Sequence, residues 1–446
     1  MTLGHKCKQF VKKNKYMEIF NWIGGLLAIS VIALASARDD YPDLRGPYCQ
    51  NRGCCPNRED ECSVPIIDFW SHCKGILPPP TPEPILGCTF EGIVYPIKKI
   101  IKRNCNVCKC ELIGGKPDMM CEQHQCIIEP LITDSINNNY GYGWSASNYS
   151  EFWGRKLDEG IKLRLGTLQP HRSVINMNPV RRIYDPHTFS TEFDSEMKWP
   201  GWISQIHDQG WCGSSWAIST AAVASDRFAI LSKGREKVTL SAQHLLSCDI
   251  RGQQSCNGGY LDRAWSYIRK FGLVDENCFP YTASNEKCRI PRRGNLIEAK
   301  CTLPQFVDRK SKYKVAPAYR IGNETDIMYE LLNSGPVQAT MKVYHDFFTY
   351  KSGIYRHTNL SANDRTGYHS VRIVGWGEDY TPSGIKKYWK VANSWGPEWG
   401  ENGYFRIARG TNECEIESFV LGTWPEIENK LLLNNAISIG PLRSTV

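Results

Sequence analysis

Nineteen cysteines in a chain of 446 residues limit what this sequence can fold into. Cys7 falls in a leader, so eighteen remain, an even number. The leader spans residues 1–37. It carries Lys6, Lys8, Lys12, Lys13 and Lys15, then an apolar run from Ile19 to Leu34, then Ala35-Ser36-Ala37 ahead of Arg38. That is the pattern of a cleaved export signal. The competing reading is an uncleaved anchor, but sixteen apolar residues fall short of the ~20 that a membrane span needs. Cysteines in even number behind an export signal read as a disulfide framework formed in an oxidising compartment.

The cysteines fall into blocks. Cys49, Cys54, Cys55, Cys62 and Cys73 crowd residues 45–76, a stretch too short to bury a core without cross-links. It resembles a somatomedin B module that has been shortened, since that module normally holds more cysteines. Residues 77–87 include Pro78-Pro-Pro-Thr-Pro-Glu-Pro84, an extended spacer. Residues 88–127 hold Cys88, Cys105-x-x-Cys108-x-Cys110, Cys121 and Cys126, and resemble half of a von Willebrand factor type C module. A zinc knuckle at Cys105 and Cys108 is disfavoured by the export signal and by the lack of a nearby His pair; His124 is isolated. No metal and no cofactor is expected. The net charge is +8, of which the leader supplies five Lys less one Glu, so the remainder is +8 − 4 = +4. This mild basicity suits acidic polysaccharide or matrix partners and does not point to nucleic acid. Arg289, Arg292 and Arg293 form a small basic loop that sulfated polysaccharide could meet, although a plain exposed loop is the simpler reading.

From about Phe193 the pattern is that of one large domain, residues 191–425, with residues 426–446 as a tail. Helical spacing predicts a helix over Ser214–Lys233, another over Leu261–Phe271, and a third opened by Asn323-Glu-Thr-Asp. Strands are expected at Val337–Tyr344, His369–Trp376, Tyr388–Asn393, Gly403–Arg409 and Phe419–Trp424.

The stretch Gln209-Gly-Trp-Cys-Gly-Ser-Ser-Trp216 carries the chemistry. It resembles the nucleophile turn of the papain family, with Ser215 where that family has its cysteine and Cys212 as the structural one. His369 in Gly-Tyr-His-Ser-Val matches the family's base, Asn393 in Ala-Asn-Ser-Trp-Gly the residue that orients the imidazole, Gln209 the oxyanion donor, and Trp395 the shielding indole. The resemblance implies an α+β, papain-like two-lobe cysteine peptidase fold, with a helical left lobe and a β-barrel right lobe, preceded by small disulfide-rich modules. It implies a substrate cleft at Gly258 and Gly259, where absent side chains let a backbone approach, and an apolar pocket at Phe419. It also implies disulfides Cys212–Cys256, Cys248–Cys278 and Cys288–Cys301, leaving Cys414 free. A thiol near pKa ~8.5 is ionised by a helix N-terminus and an imidazolium, whereas a serine hydroxyl stays protonated there. Ser215 is therefore expected to be a poor nucleophile or none.

Ala224-Ser-Asp-Arg227, Val343-Tyr-His-Asp-Phe347 and Cys414-Glu-Ile-Glu-Ser418 resemble the cathepsin B branch. Residues 135–190, with Tyr140-Gly-Tyr-Gly-Trp144, Phe152-Trp153 and Arg164-Leu-Gly-Thr-Leu168, resemble its short propeptide, which lies across the cleft in reverse. No His lies between Cys278 and His345, so the His pair that gives cathepsin B its carboxydipeptidase activity is missing. Ser215 between intact partners, behind Cys-rich modules, is similar to the tubulointerstitial nephritis antigen family. That resemblance implies a secreted, non-catalytic matrix glycoprotein of basement membranes that binds laminin, type IV collagen and integrins and promotes adhesion. Asn148, Asn323 and Asn359 stand in glycosylation sequons. Two alternatives carry different chemistry: a weak peptidase using Ser215 and His369, and a decoy that holds peptides or peptidase inhibitors in the cleft.

Overall fold

The computed structural model describes residues 87–305, 308–382 and 384–428. The leader, the shortened first module, the proline-rich spacer and most of the tail lie outside these residues.

The Cys-rich block opens with the hairpin β1 (Gly87–Phe90) and β2 (Ile93–Pro96). It continues as the antiparallel sheet β3 (Ile100–Arg103), β4 (Asn106–Ile113) and β5 (Lys116–Cys121). Few of its side chains are buried, and those that are include Cys88, Cys105, Cys108, Cys110 and Cys126. Three disulfides replace the missing core: Cys88–Cys110, Cys105–Cys126 and Cys108–Cys121. Cys105 and Cys108 are thus spent on sulfur. The block is tied to the next segment of chain by Ile127 N–H to Arg155 O at 2.9 Å and by Asn104, which bonds Ile128 O and Gly154 N–H.

Next come α1 (Pro130–Asn137) and β6 (Trp144–Ala146), and then a helical turn at Leu157–Gly160 that widens into a π turn at Ile161–Leu165. The large domain begins with β7 (Phe193–Asp194). Its helices are α2 (Ser215–Leu231), α3 (Ala242–Cys248), α4 (Leu261–Phe271) and, after β8 (Tyr319–Ile321), α5 (Glu324–Ser334). Strands come after it: β9 (Val337–Val343), β10 (Tyr350–Tyr355), β11 (Gly367–Thr381), β12 (Gly384–Ala392), β13 (Tyr404–Ala408) and β14 (Val420–Gly422). Asn323 caps α5 by accepting from Asp326 N–H, as its sequence suggests. All five expected strands exist, with ends differing by a few residues. β11 runs longer than expected because it pairs with β12 out to Thr381↔Gly384.

Nine strands form one sheet in the order β6-β10-β13-β12-β11-β9-β14-β8, with β7 on β11. Among the described residues there are two hydrophobic cores, one per lobe. The left-lobe core gathers α2, α3 and α4 around Trp216, Phe228 and Trp265. The right-lobe core is aromatic: Phe347, Phe348, Trp395, Trp399 and Phe405 meet at centroid distances of 4.9–6.0 Å. Such pairs add ~0.5–1.5 kcal/mol each beyond area burial. Phe152 of the preceding segment enters this core, fully buried and edge-on to Trp395 at 5.6 Å.

α2 is the spine between the lobes. Fifteen of its seventeen residues are buried, so it is enclosed on all sides rather than one-faced. Its alanines and serines permit this by presenting little volume. Two charged residues in it are buried and fully engaged. Asp226 pairs with Arg372 on β11 and accepts from Ser204 N–H at 2.6 Å. Arg227 pairs with Glu330 at 3.0 Å and donates to the carbonyls of Pro336 and Thr423. The Ser-Asp-Arg sequence is thus a polar clamp from α2 to the right lobe and to α5.

Two expected disulfides are corrected. Cys248 pairs with Cys288 and Cys278 with Cys301, instead of Cys248–Cys278 and Cys288–Cys301. The loop after Phe279 folds back to the C-terminus of α3, which sets the Cα atoms of Cys248 and Cys288 4.9 Å apart, inside the span a disulfide bridges. Cys212–Cys256 forms as expected, and Cys414 is a buried free thiol.

Candidate active site

Ser215 is the first residue of α2. The turn before it is pinned by Cys212–Cys256 and by Gly213 N–H donating to Cys256 O at 2.8 Å. Across the cleft, β11 presents His369 opposite Met341 of β9, and Asn393 comes just after the end of β12. His369 Nε2 lies 2.7 Å from Asn393 Oδ1, which also accepts Ser394 N–H. An amide oxygen only accepts, so the ring proton sits on Nε2 and Nδ1 keeps its lone pair. Trp395 stands beside the ring at 5.3 Å. The sequence-predicted set therefore converges at one place.

The convergence stops short of a nucleophile–base pair. Ser215 Oγ hydrogen-bonds Thr167 Oγ1 at 2.9 Å and accepts Ser370 N–H at 3.3 Å. His369 Nδ1 is buried and has no hydrogen-bond partner. Burial pushes the His369 ring down to about 4; the Asn393 hydrogen bond opposes this, Arg164 nearby adds to it, and the Leu165 carbonyl opposes it least. The imidazole is neutral at pH 7. A neutral ring and a protonated hydroxyl are the opposite of the thiolate–imidazolium pair this geometry serves in cysteine peptidases.

The cleft is filled by the chain's own residues 164–168. Gln209 Nε2 donates to Leu165 O at 3.2 Å and to Cys212 O at 2.9 Å, so the expected oxyanion donor is already engaged. Gly259 N–H donates to Gly166 O at 3.0 Å and Leu168 N–H to Gly259 O at 2.9 Å. On the other wall, Thr167 N–H donates to Tyr368 O at 3.1 Å. The two glycines predicted to admit a substrate backbone thus admit residues 166–168. At Gly258 an added Cβ would meet Leu168 at 3.1 Å. Gly166, at φ +102°, fits so closely that a Cβ would sit 2.1 Å from the Gly213 carbonyl. Phe419 lies just ahead of β14, buried in the left-lobe core, and its carbonyl accepts Thr340 N–H at 3.1 Å.

Arg164 anchors the segment. Its side chain is fully buried, ion-paired to Glu151 at 2.9 Å and Asp208 at 3.1 Å, with its guanidinium over Phe152 and Trp211. Its carbonyl accepts Trp395 Nε1–H at 2.7 Å. Thr167 and Arg164 lie outside the catalytic motifs, and Ser370 stands in one as the neighbour of His369. The only signal in the sequence was the likeness of Arg164–Leu168 to the end of a propeptide. The sequon residues Asn148, Asn323 and Asn359 are all exposed. Asn148 and Asn323 accept through Oδ1, from Thr133 Oγ1–H and from Asp326 N–H.

Two lobes meeting at a cleft, with a helix N-terminus on one wall and a His–Asn pair on the other, define the papain class of peptidase domains. Residues 189–424 match the papain family cysteine protease model. Among solved structures, proCathepsin B S9 from Trypanosoma congolense superposes with a TM-score of 0.56 at 33% identity, covering 68% of this chain and 99% of that one. The mouse protein named tubulointerstitial nephritis antigen-like is 45% identical over 86% of this chain and 90% of its own length. Bovine tubulointerstitial nephritis antigen is 40% identical over 86% and 88%. The chain belongs to the tubulointerstitial nephritis antigen family, within the papain family.

Proposed function

We propose that this protein is an exported, non-catalytic member of its family that binds extracellular matrix and supports cell adhesion. The observation that carries the first half is the partnering of Ser215 with Thr167 and Ser370 while His369 Nδ1 has none. A serine in this position needs a base at hydrogen-bond distance and a free oxyanion donor. Here the base is unpaired and Gln209 serves Leu165. The export half is supported by the leader pattern and by six disulfides among the described residues, a density typical of oxidising compartments. The names of the mammalian relatives, which are those of antigens and not of proteinases, further support the non-catalytic half, and the matrix half follows the family resemblance. The partners this reading expects are laminin, type IV collagen and integrins.

The test has two arms on the secreted chain. Retention on laminin or type IV collagen surfaces at physiological salt, with adhesion of integrin-bearing cells, is expected; no retention on either removes the matrix role. In the second arm the wild type hydrolyses no peptide. Hydrolysis that Ser215→Ala abolishes would replace the non-catalytic reading with the weak peptidase. Saturable capture of cystatin-type inhibitors by the wild type would favour the decoy, which requires residues 164–168 to leave the cleft.

A further inference from the structure

On the left lobe, α4 and the turn after α3 enclose a depression of about 200 Å3. Arg251, Arg263 and Lys270 line it together with Tyr267 and Phe271. It is smaller than the ~300 Å3 at which pockets for drug-sized ligands begin, and it suits one ring of a longer chain. The buried ion pairs of the domain use other residues, among them Arg227 with Glu330, Arg309 with Glu236 and Asp226 with Arg372. Among the described residues, none of Arg251, Arg263, Lys270, Arg292 and Arg293 forms one.

Two of these cations, Arg263 and Arg292, are held in place. The Arg263 guanidinium lies over the Tyr260 ring at 4.4 Å and donates to Arg251 O at 3.2 Å. It rests against the turn at Gly252, φ +71°, where an added Cβ would fall 1.5 Å from Arg263 Nη1. Arg292 approaches the Phe271 ring at 5.8 Å, and buried Lys312 fixes its loop by donating to the carbonyls of Pro291 and Arg292. Guanidinium groups positioned by rings lose less freedom on binding and present paired donors to tetrahedral oxyanions. The carboxylate among the lining residues is Asp249. It is buried and accepts from Gln253 at 3.1 Å, and burial pushes it up to about 6 against the opposing pull of Gln253, the Arg251 backbone, Arg263 and Arg292.

We propose that this depression binds one sulfated sugar of a sulfated polysaccharide chain, with Arg251, Arg263 and Lys270 as sulfate contacts and Arg292 and Arg293 meeting the continuing chain. The ligand class is set by charge complementarity to guanidinium groups that form no ion pair among the described residues, of which Arg263 and Arg292 are ring-backed, on an exported protein. The inference deepens the matrix-binding reading, rests on it, and names a partner for it.

The test is calorimetric binding of a heparin-derived octasaccharide to the intact secreted chain at physiological salt. Removing three polyanion contacts with Arg251→Gln/Arg263→Gln/Lys270→Gln is expected to weaken binding about tenfold or more and to flatten its salt dependence. A control, Lys98→Gln/Lys99→Gln/Lys116→Gln, removes equal charge from the Cys-rich block and is expected to change affinity by less than about threefold. Gly252→Ala keeps every charge but displaces Arg263, and a loss of about threefold or more is expected. Should the triple variant not fold, Gly252→Ala and the pair Arg251→Gln/Lys270→Gln carry the test. Equal losses in test and control variants would mean diffuse attraction and overturn the site. So would equal binding of a desulfated octasaccharide or of polyglutamate, or no binding by the wild type. Laminin and collagen retention, measured on the same variants, stays intact if only the sugar site is wrong.

Discussion

The hydroxyl of Thr167 lies 2.9 Å from that of Ser215, and no nitrogen of His369 hydrogen-bonds Ser215. The position that would attack a peptide is instead joined to the segment that covers it.

Restoring the sulfur is not enough to open the cleft. Ser215→Cys by itself is expected to hydrolyse a fluorogenic dipeptide weakly, because residues 165–168 still occupy both walls. Adding Gly166→Ala places a Cβ against the Gly213 carbonyl at positive φ. A strain of ~1–2 kcal/mol there shifts the segment outward and raises the rate about tenfold. Equal rates for the single and double variants would show that the segment does not limit access.

Arg164→Met leaves the guanidinium's place among Phe152, Trp211 and Trp395 apolar, but strands Glu151 and Asp208. Removing one partner of a fully buried pair costs ~3–5 kcal/mol. These two carboxylates are 40% and 49% exposed and can rehydrate, so the expected loss is nearer ~2 kcal/mol. Denaturant unfolding measures it, and limited proteolysis between residues 160 and 170 should speed up in step.

The clamp from α2 to β11 is buried at both ends, with Asp226 and Arg372 4% exposed or less. Asp226→Asn is expected to cost ~3 kcal/mol or more, read as a fall in denaturation midpoint. The double replacement Asp226→Leu/Arg372→Met removes both charges and should recover a large part of that loss. If the double variant is no more stable than the single one, the pair is not an isolated buried couple.

Acid should destabilise the domain. Burial lowers His369 to about 4 and His244 to about 3, from an ordinary value of 6.5. Between those values and 6.5 the unfolded chain binds more protons than the folded one, so stability falls as pH drops through that window. Asp249, raised to about 6, works in the opposite sense between 6 and its ordinary 3.8 and offsets part of the loss. His244→Asn should flatten the slope of unfolding free energy against pH below 6.5. An unchanged slope would mean that His244 does not titrate on unfolding.

Non-reducing peptide mapping should recover Cys248 linked to Cys288 and Cys278 linked to Cys301. Recovery of Cys248–Cys278 would restore the pairing that the family resemblance implies. Cys414 should resist thiol reagents until the domain unfolds, since it is buried and its thiol is pushed up by burial and by Glu413.

Much of the site was legible because its parts are local. Gln209 through Trp216, Gly367 through Val371 and Ala392 through Gly396 are short strings whose order identifies a two-lobed peptidase domain. Helical periodicity located α4, and Asn323 ahead of Glu324-Thr-Asp signalled the cap of α5. The pairing of Cys248 was not legible, because nothing in the sequence separation of 40 says which of the later cysteines returns to α3. The burial of Asp226 and Arg227 was also hidden, since periodicity reports apolar faces and α2 is enclosed all round.

By itself the sequence determined the class of fold, the order of its elements and the oxygen that stands where sulfur is expected, since each is written in residues close along the chain. Only the tertiary structure decided that Thr167, 48 residues before Ser215 in the chain, would meet its hydroxyl, and that Gly166 would close against Gly213. Such contacts arise where separate segments are brought within a few ångströms by two packed cores, and local periodicity carries no record of them.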